Sequence, residues 1–247
     1  LGRPLVDVDV VVEGDAASVA RRLAQQVGGR VEAHDRFGTA KVVRDGQSLD
    51  LATARTEKYA RPGALPTVQP GSLAQDLARR DFTINALALG LTPPDAGILV
   101  DPFGGQKDLE AGLVRVLHDR SFIDDATRIF RAVRYEQRLG FRMAPQTEAL
   151  ARRDVPYLDT VSGDRIRNEI ELLLKEEAPE KALARAADLE ALARVRLPWR
   201  QGEWLAQTFA LARQAAAPKP PSTETYLGLL IYTLPLEEAS AALRRLN

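Results

Sequence analysis

Leu5-Val6-Asp7-Val8-Asp9-Val10-Val11-Val12 is the stretch on which the fold turns. It is short, valine-rich and alternating, which predicts a strand. Residues two apart on a strand share a face, so Asp7 and Asp9 lie together while Val6, Val8 and Val10 take the other side. Gly14 ends the strand. Residues 16–27 carry Val19, Ala20, Leu23 and Val27 at helical spacing, and Gly28-Gly29 closes that helix. Residues 30–33, 39–43 and 48–53 read as further strands, the last two joined by a turn at Asp45-Gly46. Strand, helix and three strands in succession predict an α+β domain with a mixed sheet.

Farther along, Pro62, Gly63, Pro66, Pro70 and Gly71 predict a loop over residues 58–72. Residues 73–89 have a helical pattern, and residues 98–100 form a short strand between Pro93-Pro94 and Gly104-Gly105. From Ser121 the chain turns Ala-, Leu- and Arg-rich with helical periodicity, broken at Pro145, Pro156, Gly163, Pro179 and Pro198. These shifts place a boundary near residue 118, with an all-α region beyond it. Residues 215–221 read as a linker and residues 226–236 as a buried helix.

The 247 residues are 45% hydrophobic and 28% charged, enough apolar content for a real core. Thirty-four basic and thirty-four acidic residues cancel, which excludes a polybasic nucleic-acid coat but not a local basic patch. With no cysteine, disulfide scaffolds, thiolate zinc sites and cysteine nucleophiles are excluded; a reducing compartment fits, and the cytoplasm is the expected location. His34 and His118 are too few for a histidine metal cage and read as structural or exposed. Trp199 and Trp204 read as packing residues. The longest uncharged run, residues 82–94, falls far short of the roughly 20 residues of a bilayer span, so no membrane is expected. The chain starts at Leu1 and its only methionine is Met143, so a preceding segment is expected.

Aspartate is disfavoured in strands, and two anions on one face repel. A hard divalent cation such as magnesium, which favours one or two carboxylates plus substrate phosphates, would relieve Asp7 and Asp9 and suits two-metal phosphoryl or nucleotidyl transfer. An exposed edge strand is the plainer reading. Asp50, within Ser48-Leu49-Asp50-Leu51, is either a third carboxylate beside the pair or a solvent-facing strand residue. Residues 122–139, FIDDATRIFRAVRYEQRL, present Arg128, Arg131, Arg134 and Arg138 in a stripe roughly 120° wide. A polyanion along the stripe would relieve their repulsion; a solvated face with Glu136 and Asp124 as counter-charges is the ordinary alternative. Asp125 and Arg128, spaced i,i+3, make either a helix-terminal salt bridge or a base reader. Cytosine and adenine both offer an exocyclic amine beside a ring-nitrogen acceptor, which a carboxylate and a guanidinium match; guanine and uracil mismatch them.

These pieces accompany Asp76-Leu77-Ala78-Arg79-Arg80-Asp81-Phe82-Thr83-Ile84-Asn85-Ala86-Leu87. The ordered set DVDVVVEGD, FGTAKV, DLATAR, YARPGALPTVQPGS, RRDFTINALAL, DPFGGQKDL, FIDDATRIFRAVR and GDRIRNEIELLL, spanning about residues 1–175, resembles the class II tRNA nucleotidyltransferases of the polymerase-β-like superfamily. The resemblance implies a nucleotidyltransferase head over residues 1–117, a base-reading helical neck over 118–178 and a partial RNA-binding body over 179–247. It implies an enzyme that adds C and A, or A only, to the 3′ end of tRNA from CTP and ATP, with two magnesium ions and no protein partner. It casts Asp7 and Asp9 as the metal-binding catalytic pair and Asp50 as the third acid. Arg80 becomes a nucleotide-binding arginine, Asp81 and Asn85 the ribose pocket, Asp125 and Arg128 the amino-acid template, Arg131 and Arg134 further nucleotide contacts. Gly104-Gly105 resembles part of the head–neck connection.

Two departures stand out. The family's Gly-Gly-x-Val-Arg-Asp segment before the D-x-D strand is absent; Leu1-Gly2-Arg3-Pro4 resembles the residues immediately after that segment, so truncation or disorder is expected. Asp124 stands where the family usually has Glu. Bacterial poly(A) polymerases share these motifs, but tend to carry an aromatic pair where Ala88-Leu89 stands, and basic extensions. A non-catalytic RNA or nucleotide binder is the other rival, against which the clustered acids speak.

Overall fold

The computed structural model describes residues 8–34, 38–197, 199, 202–232 and 234–246. Its first unit comprises Leu1–Lys58 and Pro66–Arg80, its second Tyr59–Leu65 and Asp81–Asn247. Asp7 lies outside the described residues, as do the side chain of His34 and the chain before Val8.

In the first unit, β1 (Asp9–Val12), β2 (Arg30–His34), β3 (Thr39–Arg44) and β4 (Gln47–Thr53) form one sheet in the order β1-β4-β3-β2. β1 runs parallel to β4, and the β2/β3 and β3/β4 pairs are antiparallel. The β3–β4 turn uses Asp45 and Gly46, both at positive φ, as the hairpin's right-handed twist requires. Helix α1 (Ala16–Val27) crosses from β1 to β2. Asp15 caps its start by accepting from the Ala17 N–H, and Gly28 in the left-handed region ends it. Its alanine face, Ala16, Ala17, Ala20 and Ala24, packs on Ala40, Val42 and Leu51 with Val10 and Val12 beside them. The predicted alternation therefore holds: the valines of β1 that face α1 leave Asp9 on the opposite side of the sheet.

The region expected to be a loop contains half a hairpin. β5 (Arg55–Lys58) and β6 (Thr67–Pro70) pair antiparallel, with Pro70 closing β6 at its edge. The segment read as one helix over 73–89 breaks into three pieces. α2 (Leu73–Ala78) opens with a reciprocal capping box between Ser72 and Gln75 and stops at Arg79. Phe82 is extended, a 3₁₀ turn covers Thr83–Asn85, and β7 (Ala88–Leu89) pairs with β8 (Leu99–Val100). Asp81 enforces the break by accepting from the Phe82 N–H, an alternative to helical bonding that aspartate offers the backbone.

The second unit continues with α3 (Gly105–Ala111), β9 (Leu113–Val114), α4 (Ser121–Asp124), α5 (Arg128–Leu139), β10 (Arg142–Met143), α6 (Pro145–Asp154), a 3₁₀ turn at Val155–Thr160 and α7 (Gly163–Leu174). α8 (Pro179–Asp188), α9 (Ala191–Arg194), α10 (Gly202–Ala216), α11 (Thr223–Tyr232) and α12 (Leu236–Arg245) complete it. Its core surrounds α5, whose Ile129, Phe130, Ala132 and Val133 are fully buried, and extends without a break to Phe209 and Leu230. Each large side chain there contributes about 1.5–3 kcal/mol. Phe82 joins this core, edge-on to Tyr135 at 5.6 Å. The compact units divide at Arg80/Asp81, with Phe82 on the second unit's side. Gly105 packs against the Thr83 carbonyl so closely that a Cβ would sit 2.3 Å from its oxygen, which accounts for a glycine at the start of α3.

The helix expected over 226–236 ends at Tyr232, and both Tyr232 and Leu236 are exposed. Trp199 packs against the core, whereas Trp204 is partly exposed and stacks on Tyr232. No helix of the described residues is long and apolar enough to cross a membrane.

Candidate active site

Parallel pairing of β1 with β4 sets Asp9 directly beside Asp50, and the β3–β4 register sets Lys41 on the far side of Asp50. Paired residues on neighbouring strands point the same way, so Asp9, Asp50 and Lys41 make one row on the face opposite α1. The Lys41 ammonium bonds Asp50 at 3.1 Å, with both side chains substantially exposed. Asp9 is exposed at the strand's start. Among the described residues no group of three acidic, histidine or cysteine side chains is assembled for a metal. Two neighbouring carboxylates against a single lysine leave a net negative charge and nonetheless fit a hard divalent cation, which needs only oxygen donors and keeps waters or phosphate oxygens for its remaining positions.

Three residues before the RRD string, Asp76 of α2 is buried and accepts from both of its arginines: Arg79 at 2.7 Å and Arg80 at 2.9 Å. It also takes the Arg55 N–H. Burial pushes its carboxyl up, but the two guanidiniums outweigh burial and hold it below the usual range. Arg79 also reaches Glu57. Arg80 is thus held in place by a carboxylate, with part of its guanidinium still exposed.

In the second unit, Asp81 accepts from Asn85 Nδ2 at 2.8 Å and from Arg131 Nε at 2.7 Å. Burial raises its pKa, yet the Arg131 charge and the Asn85 amide bring it below the usual carboxylate range. Asp81 and Asn85 are therefore brought together, as expected, by an i,i+4 contact across the 3₁₀ turn. The arginine stripe of α5 exists, and three of its arginines are paired with carboxylates, Arg138 while still exposed. Arg131 pairs with Asp81, Arg134 with Glu169 at 3.1 Å, and Arg138 with Glu176. The anticipated counter-charges act elsewhere: Glu136 receives Arg185 at 2.9 Å and the Met143 N–H, and Asp124 lies 3.8 Å from Arg120. Burial drives the Glu169 carboxyl above its ordinary value despite Arg134.

Asp125 and Arg128 do not share a helix. Asp125 ends α4 in extended conformation, and α5 begins at Arg128. The Asp125 carboxylate accepts from the Thr127 N–H and hydroxyl and from Arg165 of α7, at 2.7 Å and 2.8 Å to its two oxygens. Arg128 is buried and donates through Nη1 to Ser121 Oγ at 2.8 Å. Sequence reasoning missed Arg165, Glu169, Asp76 and Glu176 as charge partners. The i,i+4 spacing of Arg165 and Glu169 within GDRIRNEI was the available signal.

Residues 1–115 match the Poly A polymerase head domain, and residues 140–196 match the probable RNA and SrmB-binding site of polymerase A. An A-adding tRNA nucleotidyltransferase of Geobacter sulfurreducens is 48% identical over 195 residues, covering 78% of this chain but 22% of its own length. Another, from Halalkalibacterium halodurans, is 45% identical over 193 residues, covering 76% of this chain and 45% of its own. The chain thus spans less than half the length of these relatives. A solved apo CCA-adding enzyme superposes with a TM-score of 0.87 at 34% identity, covering 98% of this chain and 59% of that one. A tRNA nucleotidyltransferase crystallised with a primer tRNA and an incoming ATP analogue gives 0.82 at 35% identity, covering 99% and 72%. The acid row on the sheet, the RRD turn and the α4–α5 junction thus lie within a chain that belongs to the class II tRNA nucleotidyltransferase family.

Proposed function

We propose that this chain catalyses template-independent nucleotidyl transfer to the 3′ end of tRNA, adding C and A, or A only, from CTP and ATP in the cytoplasm. The observation that carries the reading is the side-by-side register of Asp9 and Asp50 on an exposed sheet face. The 3′ hydroxyl oxygen attacks the α-phosphorus, the bond to pyrophosphate breaks, and Asp50 takes the hydroxyl proton. Asp9, with Asp7, would hold the divalent cation. Two magnesium ions, when bound, supply charge neutralisation at the hydroxyl and at the leaving pyrophosphate. Arg80, fixed by Asp76, contacts the nucleotide, and Asp81 with Asn85 shapes a ribose pocket. Asp125 and Arg128 read the base edge; Arg131 and Arg134 add contacts, Arg131 being the more exposed. The roles of residues 1–117 as head, 118–178 as neck and 179–247 as partial body belong to the same proposal.

Relatives named A-adding share 48% and 45% identity, whereas one named CCA-adding shares 33%, which favours addition of the terminal A. The test is incubation of the chain with tRNA at each successive 3′ truncation, labelled ATP or CTP, and magnesium, followed by product sequencing. Magnesium-dependent addition of one A to tRNA ending in CC is expected. Long A tails would instead assign a poly(A) polymerase, and no metal-dependent transfer would leave a binding protein.

A further inference from the structure

The α4–α5 junction carries a feature that base reading by itself does not explain. Asp125 Oδ1 is saturated, taking the Thr127 N–H at 3.1 Å, the Thr127 hydroxyl at 2.7 Å and Arg165 Nη2 at 2.7 Å. Oδ2 takes Arg165 Nη2 alone, at 2.8 Å. A carboxylate oxygen offers about two lone pairs, so the open acceptor position is on Oδ2. Thr127 belongs to the same turn and sets Oδ1; Arg165 comes from α7, forty residues away, and sets the plane in which Oδ2 is offered. The guanidinium is held by one edge only. Its Nη1 is buried and has no hydrogen-bond partner. An orphaned buried donor is costly and calls for an explanation, which service to Asp125 supplies.

We propose that Arg165 is a positioning residue for base selection: from α7 it clamps Asp125 so that Oδ2, and not Oδ1, faces the exocyclic amine of adenine or cytosine. This rests on the reading of Asp125 as a base reader. One guanidinium nitrogen, Nη2, bridges both carboxylate oxygens and so holds the carboxylate against rotation. Without it the carboxylate turns about its Cβ–Cγ bond, and discrimination between an amine and a carbonyl weakens before incorporation itself is lost.

The experiment compares kcat/KM for ATP, CTP, GTP and UTP on a tRNA primer in the full chain and in Arg165→Gln, Arg165→Lys and Asp125→Ala, with thermal unfolding of each. Arg165→Gln is expected to lower the ATP-to-GTP preference by about ten- to a hundredfold, the range of one bidentate base contact, and Arg165→Lys to restore part of it. An equal fall for all four nucleotides, or an unchanged preference, overturns the clamp and leaves Arg165 structural. If Arg165→Gln does not fold, Arg165→Lys decides by the same ratio. Relaxed selectivity in Asp125→Ala alongside intact selectivity in the Arg165 variants rejects the clamp but keeps the reader. Intact selectivity in Asp125→Ala rejects both.

Discussion

The sheet face of the first unit and helix α5 of the second treat charge in opposite ways. On the sheet of the first, Asp9 and Asp50 stand in one exposed row with Lys41 as their neighbour. In the helices of the second, carboxylates and guanidiniums are matched pair by pair and largely buried: Asp81 with Arg131, Glu169 with Arg134, Glu136 with Arg185. An under-neutralised anionic row draws a cation from solution, whereas a neutralised lattice fixes geometry and leaves little charge over. The lesson concerns the arginine stripe of α5. Its periodicity suggested a track for a polyanion, but the protein's own carboxylates occupy most of it, so its contribution to ligand binding is positional before it is electrostatic.

The strongest way to break this contrast is at the sheet. Asp9→Asn is expected to cut nucleotide transfer by about a thousandfold, because several kcal/mol of charge stabilisation depends on the cation held there. Its melting temperature should stay level or rise, since a like-charged neighbour of Asp50 is removed. Normal transfer rates, or loss of folding with loss of activity, would contradict the assignment.

Next comes the buried lattice. Arg134→Ala strands Glu169, which is little exposed, while Glu176 keeps Arg138, and should cost about 3 kcal/mol in urea unfolding. A change below about 1 kcal/mol would show that the helical pairs are as weakly coupled as surface ones.

Acid titration separates the same groups more finely. Asp81 has a depressed folded pKa, so its contribution is present above 3.8 and disappears as pH falls below that value through the folded pKa. Glu169 has a raised folded pKa, so its contribution is fully present below 4.5 and is lost as pH rises through the folded pKa. Asp81→Asn should flatten the stability curve below 3.8, and Glu169→Gln should flatten it just above 4.5. Stability measured by denaturant midpoints across pH 3–7 checks both; coincident effects of the two variants in one window would refute the opposed signs.

The smallest effect belongs to Lys41→Met. Its pair with Asp50 is exposed, so stability should move by less than about 1 kcal/mol. Manganese affinity, followed by calorimetric titration, should increase because the competing ammonium is gone; a decrease would argue that Lys41 itself orders the site.

Where the sequence could be read, local chemistry was in charge. Helix α1 matched its predicted bounds because Asp15 caps it and Gly28 ends it, signals written within the segment itself. The Asp45-Gly46 hairpin and the three strands of the sheet were legible for the same reason. Residues 73–89 were not, because an apolar helical pattern there competes with one buried aspartate, and Asp81 breaks the helix by bonding the next backbone N–H and reaching Arg131, fifty residues on. The loop expected over 58–72 hid β6, whose pairing with β5 is a non-local contact.

Alternation along a strand placed Asp9 opposite α1, and helical spacing put four arginines on one stripe of α5; the sequence alone determined both, since side-chain direction follows from backbone period. That Asp50 lies beside Asp9, that the stripe is matched by Asp81, Glu169 and Glu176, and that Asp125 is gripped by Arg165 were decided only by tertiary structure. Strand register and the choice of charge partner are set by the packing of distant segments, and no local period encodes either.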